Sequence, residues 1–153
     1  MSDPVAGGGY AAIDPTRPAV LVAGGQGITA FEPFLESLGP ETPQPVLLVY
    51  GVRSTDHMHL VDLVLAQLAR VPSFQAQIFV EAGPTLLPAE LDVESALRLP
   101  TLRAGVLAFY PVWPVVQSFD HPVFYLAGPD PMVAVRTADL EARGIDPADI
   151  RHR

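Results

Sequence analysis

Read as apolar and polar positions, the chain divides into short apolar runs separated by longer amphipathic segments. Residues 19–23 (AVLVA), 46–50 (VLLVY) and 123–127 (VFYLA) carry no alternation, which is the pattern of strands buried on both faces of a parallel sheet. Residues 74–80 (FQAQIFV) alternate well enough to predict a further strand. Between these runs the apolar residues recur at helical spacing. Ile28, Phe31, Phe34, Leu35 and Leu38 predict a helix over 28–38, with Pro33 in its first turns, where a missing N–H costs least, and Gly39-Pro40 as its stop. Leu60, Leu63, Val64 and Leu68 predict a second helix over 60–70. Residues 132–143, closed by Gly144, predict a third, and Ile150 begins a final edge strand. Strands alternating with helices make this an α/β chain: a three-layer, Rossmann-like parallel sheet of about five strands with helices on both faces and right-handed crossovers.

Two segments fall outside this rhythm. Residues 1–17 are rich in Gly, Pro, Ala and Asp and read as a flexible leader, leaving 18–153 as one α/β domain. Residues 81–120 are harder to parse. A short helix fits 92–99, whereas 103–119 is strongly apolar yet carries Pro111 and Pro114, which argues against one regular helix.

The chemistry begins where the first strand meets Gly24, Gly25 and Gly27 and a helical pattern opens at Ile28. Such a turn presents unpaired backbone N–H groups and the positive end of a helix to an anion. Taken alone, a GGxG turn is equally a tight strand-to-helix connection with no ligand. A second glycine turn, Gly128-Pro129-Asp130-Pro131, follows the strand at 123–127. In a parallel sheet both turns lie at the carboxyl edge, where ligands bind near the switch in strand order.

Composition narrows the classes. The 153 residues are 49% hydrophobic and have a formal net charge of −8, which disfavours nucleic acid and anionic membrane as partners. There are no cysteines, so disulfides, cysteine-held zinc or iron–sulfur clusters and thiol catalysis are excluded. Neither a secretory signal nor an apolar segment of membrane-spanning length is visible, and a cytoplasmic location is expected.

Three stretches resemble the nucleotide motifs of the ferredoxin–NADP reductase superfamily. They are Leu21-Val22-Ala23-Gly24-Gly25-Gln26-Gly27-Ile28-Thr29, then Val49-Tyr50-Gly51-Val52-Arg53-Ser54 with Asp56 following, and Phe124-Tyr125-Leu126-Ala127-Gly128-Pro129-Asp130-Pro131-Met132. The likeness covers about residues 18–80 and 122–150. It implies a C-terminal NAD(P)-binding module in which Thr29 and the turn through Gly24, Gly25, Gly27 and Ile28 hold the pyrophosphate. It also implies that Arg53 and Ser54 lie by the adenine ribose, and that Gly128, Pro129, Asp130 and Met132 border the nicotinamide. The second strand ends without the acidic residue of the usual NAD fingerprint, and an arginine there suits a phosphate. NADP or NAD is the implied cofactor, with FAD only through a partner, because the family's flavin-binding barrel would precede this module and only seventeen residues stand before the domain that begins at 18.

Several positions depart from the family. Ala127 replaces a cysteine and Ala30 a proline. The third strand runs into Glu81-Ala82 where a Ser/Thr-Arg pair is usual, and a carboxylate there would repel a 2′-phosphate. The terminal aromatic segment is lacking, and 103–119 has no familiar counterpart. Other features carry less. His57 and His59 read as loop residues more readily than as a metal pair, and His121 reads as a turn residue. Ser54, Asp56 and His57 have the residue types of a hydrolytic triad without its nucleophile elbow. Phe109, Tyr110 and Trp113 either cover the sheet or form a partner surface.

Three functions follow. The first is a stand-alone NAD(P)-binding oxidoreductase component, catalytic residues unassigned, whose site is completed by a flavoprotein partner or a neighbouring chain. The second is a repurposed module binding another small molecule, with Asp130, Glu81, Asp56, Tyr50 and Tyr110 as candidate acids, bases or donors. The third is a non-catalytic homo-oligomeric binding protein.

Overall fold

The computed structural model describes residues 13–54, 58–82 and 101–152. Its strands are β1 (Ala19–Gly24), β2 (Val46–Val52), β3 (Phe74–Val80), β4 (Thr101–Ala104), β5 (Val123–Ala127) and β6 (Ile150–His152). They form one sheet in the order β4-β3-β2-β1-β5-β6, with every pairing parallel. The α/β expectation holds, but with six strands where about five were expected. The additional strand is β4, whose sequence TLRA alternates over only four residues and has no long apolar run. It is stitched to β3 by register and by Arg103 Nε donating to Gln77 Oε1 at 2.8 Å.

The non-alternating strands are explained by two cores. On one face Leu21, Leu48, Tyr50, Ile78 and Tyr125 pack with Ile28, Phe31, Leu35, Val64 and Leu68. On the other, Val20, Val22, Leu47, Val49, Phe124 and Leu126 pack with Val112, Val116, Val133 and Leu140. Both parities of each central strand are therefore buried, as a sheet with helices on both faces requires.

The helix expected over 28–38 divides in two. A 3-10 turn runs over Gly25–Phe31 and α1 over Glu32–Ser37. Pro33 has no N–H to donate back to the Thr29 carbonyl, which instead accepts from Glu32 N–H in a 3-10 bond. The second helix, α2 (Val61–Arg70), matches its apolar spacing. Residues 103–119 form no single helix: β4 gives way to a loop and then to the short α3 (Trp113–Gln117). Phe109 and Val112 are buried while Tyr110 is exposed, so this segment mainly covers the sheet. Helix α4 (Asp130–Ala142) starts two residues earlier than its apolar pattern, because Pro131 is tolerated in a first turn. Gly144, at φ +92°, ends it in a Schellman motif, with Ile145 N–H donating to Leu140 O and Gly144 N–H to Glu141 O.

Of the leader expected over 1–17, residues 1–12 lie outside the described residues, and so does the helix expected at 92–99. Asp14 N–H donates to the Tyr125 hydroxyl at 2.9 Å. Arg17 donates to the His121 carbonyl at 2.9 Å and pairs with Asp149 at 2.9 Å. His121 takes a left-handed φ of 59° in its turn.

Among the described residues Gln67 is the one buried polar side chain, 3% exposed. Its Nε2 donates to the Leu35 and Leu38 carbonyls at the end of α1, and its Oε1 accepts from Arg70 Nε at 2.7 Å. Gln67→Leu removes these bonds and leaves the Leu35 carbonyl without that partner inside the protein. Urea denaturation is expected to report a loss of about 1.5 kcal/mol.

Candidate functional site

The strand register sets the site. Gly24 stands opposite Gly51 and Ala23 opposite Ala127, so Gly24, Gly51 and Gly128 share one level at the carboxyl edge of the sheet. Chain order reverses between β1 and β5, which makes their junction the topological switch point.

Steric fit explains the glycines there. Gly25 has φ +56° with open space around it, a left-handed turn that suits glycine. A Cβ on Gly27 would strike the Ala127 carbonyl and stand 2.8 Å from Gly128 Cα. Cβ atoms on Gly24 and Gly128 would reach Met132, at 2.8 Å from Sδ and 2.9 Å from Cε respectively. The two glycine turns thus abut, with Met132 wedged against both.

Beside this junction lies a cleft of about 480 Å³. Gly24, Gly25 and Gly51 line it where β1 and β2 end, and Pro129 and Met132 line it from the start of α4. Val106 and Leu107, from the loop after β4, also face it. Leu107 lies so close to β2 that a Cβ on Gly51 would stand 3.0 Å from Leu107 Cβ. Arg53 and Glu81 face it too. The β2–β3 pairing continues past the strands, with Glu81 N–H donating to Val52 O and Ala82 N–H to Arg53 O. This brings an exposed cation and an exposed anion side by side, with no ion pair between them among the described residues.

Gly24, Gly25, Arg53, Pro129 and Met132 therefore line one cleft. Gly27 and Gly128 form the packed junction beneath the cleft. The Ile28 side chain is wholly buried in the core, and Thr29 Oγ1 donates to the Gln26 carbonyl at 2.8 Å. Ser54 is half-buried beside Arg53. Asp130 faces a separate groove shared with Thr137 and His152. The sequence reading missed Gly51, Val106 and Leu107. Gly51 had a signal, a glycine inside a β-branched strand, which marks close approach of another segment. Val106 and Leu107 had none.

Other candidates lie elsewhere. Tyr50 is buried, and its hydroxyl accepts from His59 N–H at 2.8 Å. Burial raises its pKa above the ordinary tyrosine value, partly offset by that hydrogen bond. Asp56 and His57 lie outside the described residues. Among the described residues no group of three His, Asp or Glu side chains could hold a metal ion, and no helix is long and apolar enough to cross a membrane.

No protein-family model matches the chain. The toluate 1,2-dioxygenase electron transfer component of Pseudomonas putida is 28% identical over 134 residues, covering 87% of this chain and 35% of that protein. Flavohemoglobin from Malassezia yamatoensis, solved with bound FAD and heme, superposes with a TM-score of 0.68 at 18% identity, over 93% of this chain and 32% of that one. The flavohem-like FAD/NAD-binding domain of nitric oxide dioxygenase from Vibrio cholerae gives 0.66 at 19% identity, over 93% and 52%. The chain resembles the nucleotide-binding module of ferredoxin–NADP reductase-like proteins and shares its fold. It spans about a third of the length of the curated relatives it matches, 30–35%. Within this reductase-like module, the three motif stretches are the ones that meet at the β1–β5 junction and at the end of β2.

Proposed function

We propose that the chain is the nicotinamide-nucleotide-binding module of an electron-transfer system, working with a flavin held outside these residues by a separate protein or a neighbouring chain. The observation that carries this reading is the coincidence of the 480 Å³ cleft with the strand-order switch point, the place where doubly wound sheets bind dinucleotides. The residues present fit such a ligand. Gly25 leaves backbone open at the floor, Arg53 offers a guanidinium for a phosphate or a purine face, and Pro129 with Met132 offers an apolar border for a flat ring.

In this reading Gly24, Gly25, Gly27, Ile28 and Thr29 shape the pyrophosphate turn, the last three through backbone course rather than exposed side chains. Arg53 and Ser54 meet the adenosine end. Gly128, Pro129 and Met132 border the nicotinamide end, whereas Asp130, expected there from the motif, faces the separate groove. The bound nucleotide supplies the hydride, and the protein binds it, orients it and keeps water from it. The name of the Pseudomonas putida relative, an electron transfer component, supports the same assignment.

Calorimetric titration with NADH and NADPH tests it. Saturable one-to-one binding with a dissociation constant of roughly 1–100 μM is expected for at least one nucleotide. Absence of binding by both at millimolar concentration overturns the reading.

One observation favours a second reading. Glu81 places a carboxylate at the cleft, which suits a ligand with hydroxyl or cationic groups better than one with an added phosphate. In that reading the cleft holds another small molecule in a non-redox role, and neither nucleotide binds.

A further inference from the structure

Helix α4 reaches the cleft twice. Its first turn supplies Met132 directly. One turn on, at i+4 and so on the same helix face, stands Arg136. Its Nη1 donates to the Leu107 carbonyl at 3.2 Å, and its guanidinium carbon lies 5.8 Å from the centroid of the Phe109 ring. Leu107 is a wall of the cleft and Phe109 is fully buried beneath the same loop. The loop leaves β4 through Gly105, at φ +111°, so its course depends on what holds it further along.

The grip is supported from behind. Asp139 lies 3.6 Å from Arg136 and 2.9 Å from Arg143. Arg143 covers the Trp113 ring at 4.8 Å. Trp113 in turn packs edge-on to Phe109, with centroids 6.1 Å apart, and stacks on Phe124 of β5 at 6.3 Å. Arg136 and Arg143 thus clasp the Phe109–Trp113 segment to α4 through two cation–π contacts and a shared carboxylate.

We infer that Arg136 is a positioning residue for the ligand of this cleft, fixing the Val106–Leu107 wall relative to Met132 so that α4 sets the width of the cleft. The ligand part of the inference rests on the nucleotide reading above. The latch does not. A guanidinium suits the task because its planar fork can donate to a carbonyl and lie over an aromatic ring at the same time. Methionine fills similar space without donating, and lysine donates without the planar face.

The test compares Arg136→Met and Arg136→Lys with the unmodified protein. Backbone hydrogen exchange of Gly105 and Val112, whose N–H groups donate to Val80 O and Phe109 O on either side of the loop, is expected to rise about tenfold in the methionine variant, with residues 20–22 of β1 unchanged. NADH affinity is expected to fall roughly tenfold and to be partly restored by lysine. If exchange at Gly105 and Val112 does not change in either variant, the latch is overturned. Faster exchange with unaltered NADH affinity overturns the positioning role. Faster exchange in a protein that never binds nucleotide leaves the latch standing and rejects the nucleotide reading instead. Should the methionine variant fail to fold, lysine alone must still give faster loop exchange than arginine.

Discussion

Gly27→Val is expected to strip away a large share of the stability of the fold, a loss of about 3 kcal/mol in urea denaturation. The cost comes from one contact. The first side-chain atom added at this position meets the Ala127 carbonyl group, whose carbon would be 2.6 Å away, and then Gly128 Cα at 2.8 Å. Both neighbours are backbone, so no side chain can swing aside, and β1 and β5 must separate at the switch point. Gly27→Ala should already destabilise strongly, because its Cβ is the offending atom. Gly25→Ala is the informative contrast. There the surrounding space is open and the cost is that of a left-handed φ, roughly 1–2 kcal/mol. If Gly25→Ala proves more damaging than Gly27→Ala, the close approach of the two turns is not what Gly27 serves.

Arg53→Ala is expected to weaken NADPH binding about twentyfold while weakening NADH binding only a few-fold, since a charge-assisted bond to a 2′-phosphate is the larger loss. Glu81→Gln should act in the opposite direction, tightening NADPH several-fold and leaving NADH nearly unchanged. The two side chains reach the same cleft from adjacent strand ends, so the balance between them decides how well a 2′-phosphate is accepted. Isothermal titration of both nucleotides against both variants, repeated at raised salt, reads this balance, because the charge contributions shrink as salt rises. Equal losses for NADH and NADPH in Arg53→Ala would remove Arg53 from phosphate recognition.

Much of the fold was legible because its strands are buried on both sides. Residues such as Val20 and Leu21 face different cores yet are both apolar, and that forces an unbroken run which reads as a parallel strand. The same logic hid β4. An edge strand of four residues can carry Arg103 on a polar pair with Gln77 and is too short for its alternation to stand out. The division at Pro33 was not expected, since the proline was placed as tolerated within one helix over 28–38, whereas the switch from 3-10 to α geometry depends on where the Thr29 carbonyl finds a donor. The glycine turns could be placed at the carboxyl edge because each follows a recognisable strand, whereas Arg53, Pro129 and Met132 were placed by resemblance to the family's motifs. Val106 and Leu107 could not be placed either way. They arrive by the packing of an irregular loop on α4, and the Arg136–Leu107 bond spans 29 residues with no motif to announce it.

The parallel topology also dictates when the cleft comes into being. Pairing β1 with β2 joins residues such as Ala19 and Val46, whereas pairing β1 with β5 joins Ala19 to Val123 and closes a far longer loop. Loop-closure entropy makes such distant pairings slow to nucleate. Until β5 docks, Gly27 has no Ala127 to fit against, and Met132 is not seated beside Gly24. Competence for ligand therefore waits on the long-range β1–β5 pairing, and a ligand of this cleft acts as a clamp on that seam rather than on the β1–β2–β3 half, whose pairings join nearer neighbours.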